Sequence, residues 1–488
     1  MAVKTRKEYL ESLKAMRPNV YKFGKLVQDV TTDPATKRTV ESHARAFDAS
    51  NDPQYAEDFT MTSSFTGEKI HRWNGMMETL DEIMANSKLK RWMYRFNGSC
   101  NGGVCVGWNA QNVMWNITAL IDKEYGTNYQ ERLKRWIIGS QEKGLVVAGA
   151  LTDAKGDRAL RPSQQSNPDS NVHVKEVRSD GIVISGYKTM ICGVAASNEV
   201  FILPGSGYRE EDQDYALACV VPKDIEGLTV VETRRPSDSR ELEDGWDIPD
   251  TGITQAYLLF QDCFVPNERV FMCKEFKYSG KIIEYFTANY RACIGACVAG
   301  QGDVMIGAGA LMARINGLAA RTFADKMVEM AVNNETTYAM GIGAMALGKK
   351  GPGGAWVSDS LTAHANKVHV ATLPYETKRI CQDIGGGIVE TGCFPSCEDF
   401  KNPVYGPIIE KAVKASDKYS AESRARAARL SEWLTLGAGV PGCMHGGGSP
   451  DGAKLVVRAL TPVDQFADYA RKIAGIKEQI PEPEKKKK

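Results

Sequence analysis

The 488-residue chain has no excess of either charge: 61 Lys and Arg stand against 60 Asp and Glu, a formal net charge of +1. That balance excludes a basic protein built to bind polyanions, and nucleic acid is not expected as a partner. Long hydrophobic runs are missing too. No 18 consecutive apolar residues occur, so the sequence predicts no membrane-spanning helix and no membrane partner. The first residues, MAVKTRKEYLESLKAMRPNVY, carry charges throughout and have no apolar core followed by small residues. They do not read as a secretory signal, and a cytoplasmic location is expected. No repeat at a fixed period is present, and no G-x-G-x-x-G follows a strand-like run, so a Rossmann dinucleotide fold has no support. With 43% hydrophobic and 25% charged residues, the chain can bury a core sizeable enough for roughly three domains.

The pattern of apolar residues changes twice along the chain. Residues 1–146 show helical spacing, as in Tyr9, Leu10, Leu13 and Met16, or Trp73, Met76, Met77, Leu80 and Ile83. Residues 147–270 turn to short β-branched runs between turn residues: LVVAGALTD, which begins just ahead of that boundary, then HVKEV, GIVISGY, EVFILPG, YALACVVP, LTVVE and QAYLLFQDCFVP. Seven such runs in about 120 residues predict a compact antiparallel β domain. Residues 271–488 return to alanine-rich helical spacing around 281–320, 322–347, 356–386 and 405–436, the pattern of an antiparallel bundle. The expected fold class is therefore α+β, in the order helices, β domain, helical bundle. The charged, low-complexity tail PEPEKKKK reads as a solvated end.

Twelve cysteines are the conspicuous surplus. In a reducing compartment they read as core thiols, reactive thiols or metal ligands, not disulfides. Two close pairs have ligand spacing: Cys100 with Cys105 in SCNGGVCVG, and Cys293 with Cys297 in YRACIGACVAG. The first pair lies in a glycine-rich stretch that lets backbone approach an inorganic cluster. On a helix the second pair puts both thiols on one face, about 6 Å apart. The alternative for Cys293 and Cys297 is that they are small core residues on a bundle helix. Cys393 and Cys397, in a Pro-containing loop, rank below them, while Cys192, Cys219, Cys263, Cys273 and Cys381 sit in apolar contexts that suit buried structural thiols. Cys443, beside His445 in GCMHGGGSP, fits a site and a turn equally.

Two further segments are candidate ligand loops. In LTDAKGDRALRPSQQ the polar residues Thr152, Asp153, Lys155, Asp157, Arg158 and Gln164 leave a strand together, as a cofactor loop or merely a solvated one. In QDIGGGIVETG, Gly385, Gly386 and Gly387 offer backbone N–H groups to a phosphate or an adenine-bearing ligand, or else form a helix-capping turn.

Taken in order, TDAKGDR, CFVPNERVF, QDIGGGIVETG and MHGGGSP resemble the 4-hydroxybutyryl-CoA dehydratase/vinylacetyl-CoA isomerase family, from DPQYAEDF to the AGIK near residue 476. More loosely, the chain is similar to the flavin-dependent 4-hydroxyphenylacetate 3-hydroxylases and the acyl-CoA dehydrogenase fold. That resemblance implies an N-terminal helical domain, a middle antiparallel β-barrel and a C-terminal bundle, assembled as a homotetramer that holds FAD and a 4Fe-4S cluster. FAD would be bound by the Thr152–Arg158 loop, Gln164, the turn of Met190, Ile191, Cys192 and Gly193, and Gly385–Gly387 of a neighbouring subunit. In the dehydratases the cluster has three cysteines and one histidine. Cys100, Cys105 and Cys297 look like the cysteines, with the first two one residue further apart than in the family, and the histidine position holds Tyr290. Cys293, one turn before Cys297, would restore a fourth thiolate.

Further departures follow. The family's tyrosine, lysine and two glutamates fall on Ile294, Val298, Gln255 and Cys443, which removes groups that move protons or polarise a thioester. Tyr290, Gln255, Cys443 and His445 are the candidates lining the pocket. The resemblance thus implies a flavin and iron–sulfur enzyme of an acyl-CoA thioester, working by dehydration, double-bond isomerisation or oxidoreduction, and not on 4-hydroxybutyryl-CoA itself. A reduced-flavin-dependent phenol hydroxylase and a non-catalytic or electron-transfer homologue are the alternatives.

Overall fold

The computed structural model describes residues 3–98, 100, 103–234, 252, 254–436, 445–478 and 480. Its first part carries α1 (Arg6–Lys14), the short strands β1 (Val20–Lys22) and β2 (Lys25–Val27), α2 (Lys37–Asn51), α3 (Ala56–Phe59) and the hairpin β3 (Thr60–Thr62) and β4 (Lys69–His71). The helices α4 (Leu80–Asn97), α5 (Gly103–Tyr125) and α6 (Tyr129–Lys143) follow. The helical spacing read from Trp73 onward begins too early. Thr79 accepts from Glu82 N and Glu82 answers in a capping box, so α4 starts at Leu80, leaving Met76 and Met77 to bury their side chains from non-helical backbone.

The strands that follow are β5 (Val147–Ala150), β6 (His173–Val177), β7 (Gly181–Cys192), β8 (Glu199–Ile202), β9 (Leu217–Pro222), β10 (Leu228–Glu232), β11 (Gln255–Pro266) and β12 (Val270–Cys273). They form two sheets, in the orders β2-β1-β10-β11-β7-β6 and β12-β9-β8-β5. The expected antiparallel arrangement holds for most neighbours, but β1 pairs with β10 and β5 with β8 in parallel. β5 and β8 are buried along their whole length, as parallel strands covered on both faces are. β10 alternates buried and half-buried residues, its sheet having one wetter face.

The last part is built on α7 (Ser279–Ile315), surrounded by α4, α5, α8 (Arg321–Ala346), α9 (Ser360–Val370), α10 (Leu373–Gly385) and α14 (Ala421–Leu436). Between α10 and α14 lie the shorter α11 (Gly387–Glu390), α12 (Cys397–Lys401) and α13 (Gly406–Val413), and α15 (Pro450–Leu460) and α16 (Val463–Ile473) end the fold. α7 is long and apolar enough to cross a membrane, yet most of its apolar stretch is buried between the neighbouring helices. α4 approaches it closely, because a Cβ at Gly300 would stand 2.4 Å from the Arg91 carbonyl oxygen. Arg91 and Arg95 of α4 then clamp Asp303 of α7 at 2.7 Å each, and Asn334 of α8 donates to the same carboxylate at 2.9 Å. This clamp fixes the phase of α4 and turns Lys90 and Tyr94 toward α5 and α7.

Candidate active site

Lys90 is buried against two aromatic rings, with Nζ 5.3 Å from the centre of Trp108 on α5 and 5.4 Å from that of Tyr290 on α7. Burial by itself lowers its pKa. The thiols of Cys293, Cys105, Cys297 and Cys100 surround it and outweigh that cost, holding the amine charged well above the usual lysine range. Four cysteines singled out by spacing therefore meet around one cation, delivered by a loop and two helices.

Within this group the neighbours differ. Burial and then Cys105, Cys297, Cys100 and Cys192 push the Tyr290 phenol well above its ordinary range, so Tyr290 keeps its proton. Burial pushes the Cys100 thiol up as well, as do Cys105, Cys297 and Cys192, while a hydrogen bond with Tyr94 opposes them. Cys293, 3% exposed, has burial raising it, Lys90 lowering it and Cys105 raising it. The trio Cys100, Cys105 and Cys297 thus stands around Tyr290, and Cys293 joins through Cys105 and Lys90. Cys105 belongs to the first turn of α5, not to the loop that the glycine-rich sequence suggested; Cys100 alone is on the loop. Among the described residues no group of three or more His, Cys, Asp or Glu side chains is close enough to hold a metal ion.

Cys192 was expected among structural thiols and at the flavin turn. It is half-buried at the end of β7 and faces the thiol group, and Gln255 Nε2 donates to its sulfur at 3.3 Å across the β7–β11 pair. Cys192 and Gln255 therefore extend the site from the helices onto the sheet. Met190, two residues earlier, has φ of 56° and is exposed, between buried Thr189 and Ile191. A bulky side chain held outward on left-handed backbone is a strained arrangement typical of ligand contacts. Gly193 closes this turn with φ of 67°, its N–H bonding Thr254 O at 2.9 Å.

The loop after β5 divides. Asp153 turns inward and pairs with Lys188 at 2.8 Å, both almost fully buried, and also accepts from Val172 N at 3.1 Å. Thr152 and Lys155 are half-buried, whereas Asp157, Arg158 and Gln164 are exposed. Gly385 is buried where α10 ends, and Gly386 turns the chain with φ of 70°. Gly386 and Gly387 lie exposed and distant in sequence from every element of the thiol site. Cys443 lies outside the described residues. His445 is exposed on a turn that its carbonyl closes by accepting from Gly448 N at 2.9 Å. That turn reaches the site through glycine, since a Cβ on Gly447 would meet the Tyr290 ring at 2.9 Å.

All eleven described cysteines are free. Burial pushes Cys263 and Cys273 up to about 11 and Cys381 up to about 12, and raises Cys219 further, as inert structural thiols require. Cys393 is exposed and Cys397 opens α12.

Sequence reasoning missed Lys90, Tyr94 and Arg291. The signal for the first two was a lysine in phase with Ile83, Ser87 and Tyr94 on the buried face of α4. Arg291 is 6% exposed and donates from Nε to Gly447 O at 2.9 Å. Burial lowers it to about 10.

The sequence profiles of the N-terminal and C-terminal parts of 4-hydroxyphenylacetate 3-hydroxylase match residues 5–272 and 279–475. The chain belongs to the 4-hydroxyphenylacetate 3-hydroxylase family. Within the family it is 35% identical to the 4-hydroxybutyryl-CoA dehydratase/vinylacetyl-CoA-Δ-isomerase of Clostridium aminobutyricum, over 97% of this chain and 99% of that one. It is 26% identical to the oxygenase component of 4-hydroxyphenylacetate 3-monooxygenase from Thermus thermophilus, over 89% and 88% of the two chains. The structure of an oxygen-tolerant archaeal 4-hydroxybutyryl-CoA dehydratase from N. maritimus matches with a TM-score of 0.94 at 31% identity, covering 99% of this chain and 97% of that one. An oxygenase component of 4-hydroxyphenylacetate 3-monooxygenase complexed with FAD shares the fold, with a TM-score of 0.84 at 23% identity over 96% and 98% of the chains. The resemblance read from the sequence motifs is thus borne out, and the named relatives are enzymes.

Proposed function

We propose that the protein is an FAD- and 4Fe-4S-dependent enzyme that dehydrates, isomerises or oxidises and reduces a CoA thioester other than 4-hydroxybutyryl-CoA. The observation that carries this reading is the convergence of Cys100, Cys105, Cys293 and Cys297 on Lys90 and Tyr290. Soft thiolates are the donors that iron–sulfur clusters take, and a fixed lysine charge offsets the negative charge such a donor set brings. Cys100, Cys105, Cys297 and, as fourth thiolate, Cys293 would hold the cluster. Thr152, Lys155, Arg158, Gln164, the Met190–Gly193 turn and Gly385–Gly387 of a neighbouring subunit would hold FAD, with Asp153 bracing that loop from within. The flavin supplies electron transfer to and from the carbon skeleton when bound.

The chain's own residues supply a charge, a proton and an orientation. Lys90 is a permanent cation where a thioester oxygen or a thiolate gathers negative charge. Tyr290 is a protonated donor over the same space, and Gln255 holds Cys192 in place. At the positions where the dehydratases carry histidine, tyrosine and glutamate stand Tyr290, Ile294 and Gln255. Loss of those bases argues against removal of an unactivated proton from 4-hydroxybutyryl-CoA. A homotetramer accords with exposed Gly386 and Gly387, and with α16, none of whose residues is buried although Phe466, Tyr469 and Ile473 are apolar.

Anaerobic purification with assay of iron, acid-labile sulfide and flavin tests the reading. About four irons and one FAD per chain are expected, with iron lost in Cys293→Ala and kept in Tyr290→Phe. Iron kept in Cys293→Ala and lost in Tyr290→Phe would move the fourth ligand to Tyr290. FAD without iron would return the thiols to the core and make the reduced-flavin-dependent phenol hydroxylase the better reading. Both cofactors without turnover of any thioester would leave the electron-transfer homologue.

A further inference from the structure

Asn86 stands one turn before Lys90 on the buried face of α4 and is 1% exposed. Neither its Nδ2 nor its Oδ1 has a hydrogen-bond partner, and among the described residues it is the one buried carboxamide with both ends unbonded. Buried asparagines of the neighbouring helices are served. Asn112 accepts from Met77 N at 2.7 Å and donates to Trp108 O at 2.8 Å. Asn289 donates to Trp356 O at 2.9 Å and accepts from Ser358 N at 2.8 Å. Asparagine is also a poor choice for a helix interior, because its side chain competes for backbone bonds. Position 86 therefore sacrifices helix propensity and solvation together, with no group of the chain answering its amide. The partner has to come from outside the polypeptide.

Two contacts fix where that amide sits. Three residues before α4 begins, Met77 O accepts from Trp356 N at 2.6 Å, and Asn289 of α7 bonds the carbonyl of the same tryptophan. Further along, a Cβ on Gly300 of α7 would stand 2.7 Å from the Cβ of Tyr94. α4 and α7 thus run in the same direction, with Asn86 at a level between Asn289 and Gly300. Two turns back from the Tyr94–Gly300 contact lie Asn86 on one helix and Cys293 on the other. The side chain of Lys90 leans back toward the turn of Asn86, as helical side chains do, and Cys293 is the thiol that acts on it most strongly. An amide, an ammonium and the fourth thiol share one level of the interior.

We infer that the Asn86 carboxamide donates a hydrogen bond to a sulfur of the iron–sulfur centre beside Cys293, and that it thereby raises the reduction potential of the centre. This rests on the cluster reading above. Reduction adds negative charge to a cluster that four thiolates already make negative, and N–H donors to its sulfurs stabilise the reduced state over the oxidised one. Lys90 acts in the same sense through its charge. Together the two residues fit the centre to accept an electron, which four thiolates alone would oppose.

Redox titration of the anaerobic holoprotein, followed by EPR of the reduced cluster, tests this. Asn86→Leu keeps a branched side chain and removes the donors, Asn86→Ala removes them without adding bulk, and Asn86→Gln retains them. Each is assayed for iron, flavin and melting temperature. The two donor-free variants should keep their iron and be harder to reduce, their midpoints shifted to lower potential, and Asn86→Gln should recover part of that shift. Midpoints equal to that of the wild type in both donor-free variants would overturn the inference and leave the cluster reading standing. If the melting temperature alone fell, the amide would belong to a buried water, and the inference would fail in the same way. Iron lost from both donor-free variants would make Asn86 a requirement for cluster assembly and overturn its role in the potential. A wild type without iron would sink both readings.

Discussion

Lys90 shows what kind of residue escapes a reading of the sequence. Its neighbours along the chain, KLKRW, look like a solvated helix face, and only the phase of α4 reveals that Lys90 points inward. The thiols were easier, because cysteine is rare enough for two close pairs to stand out. Their setting was not, since Cys192 reaches Cys100 from the end of β7 and Gln255 reaches Cys192 only through the β7–β11 pairing. His43 and His71 lead to a test at this scale. Burial lowers His43 to about 4 and His71 to about 3, a hydrogen bond to the backbone opposing it in each, at Thr39 and Lys4. Above pH about 6.5 both are neutral whether folded or not and cost nothing. As pH falls below that value the unfolded chain takes up protons that the folded one refuses, so stability drops, by on the order of several kcal/mol between them at pH about 4. The wild type should therefore lose melting temperature steeply from pH 6.5 to 4, and the double variant His43→Gln with His71→Gln should show a shallower slope over that window. Parallel slopes would refute the assignment.

The seven β-branched runs all become strands, because alternation and flanking turns are local signals. What sequence spacing missed was pairing. β1 and β2 lie within a stretch that looked helical, most of β12 within one assigned to the bundle, and two strand pairs run parallel, both of these decided by contacts distant in sequence. Helix packing is likewise set by residues whose importance is invisible locally. A Cβ at Gly341 of α8 would stand 2.3 Å from Ala292 O, and one at Gly295 of α7 would stand 2.5 Å from Thr337 O, so the two helices interlock backbone to side at the turn that bears Cys293. Gly341→Ala should force α7 and α8 apart and destabilise the protein by about 1–3 kcal/mol. A lower melting temperature, with iron lost in proportion, is the expected result, and an unchanged melting temperature would show that the crossing has slack.

At the level of the whole molecule, α16 is amphipathic but unsupported: Val463, Phe466, Tyr469 and Ile473 are all more than 45% exposed. Contiguous exposed apolar residues of this kind mark an interface. The proposed tetramer supplies one, and sedimentation of Phe466→Glu with Ile473→Glu should show smaller species than wild type at the same concentration. An undiminished mass would place the subunit contacts elsewhere.

The parallel pairing of Val20 with Val230 has a consequence for how the chain is made. A ribosome adds roughly 5–20 residues per second, so β1 waits on the order of ten seconds or more after its own synthesis before its partner strand emerges, and longer before β11 backs that strand. Through that interval an edge of hydrogen-bonding groups stands open on the nascent chain, the kind of surface that chaperones shield and that aggregates when left bare.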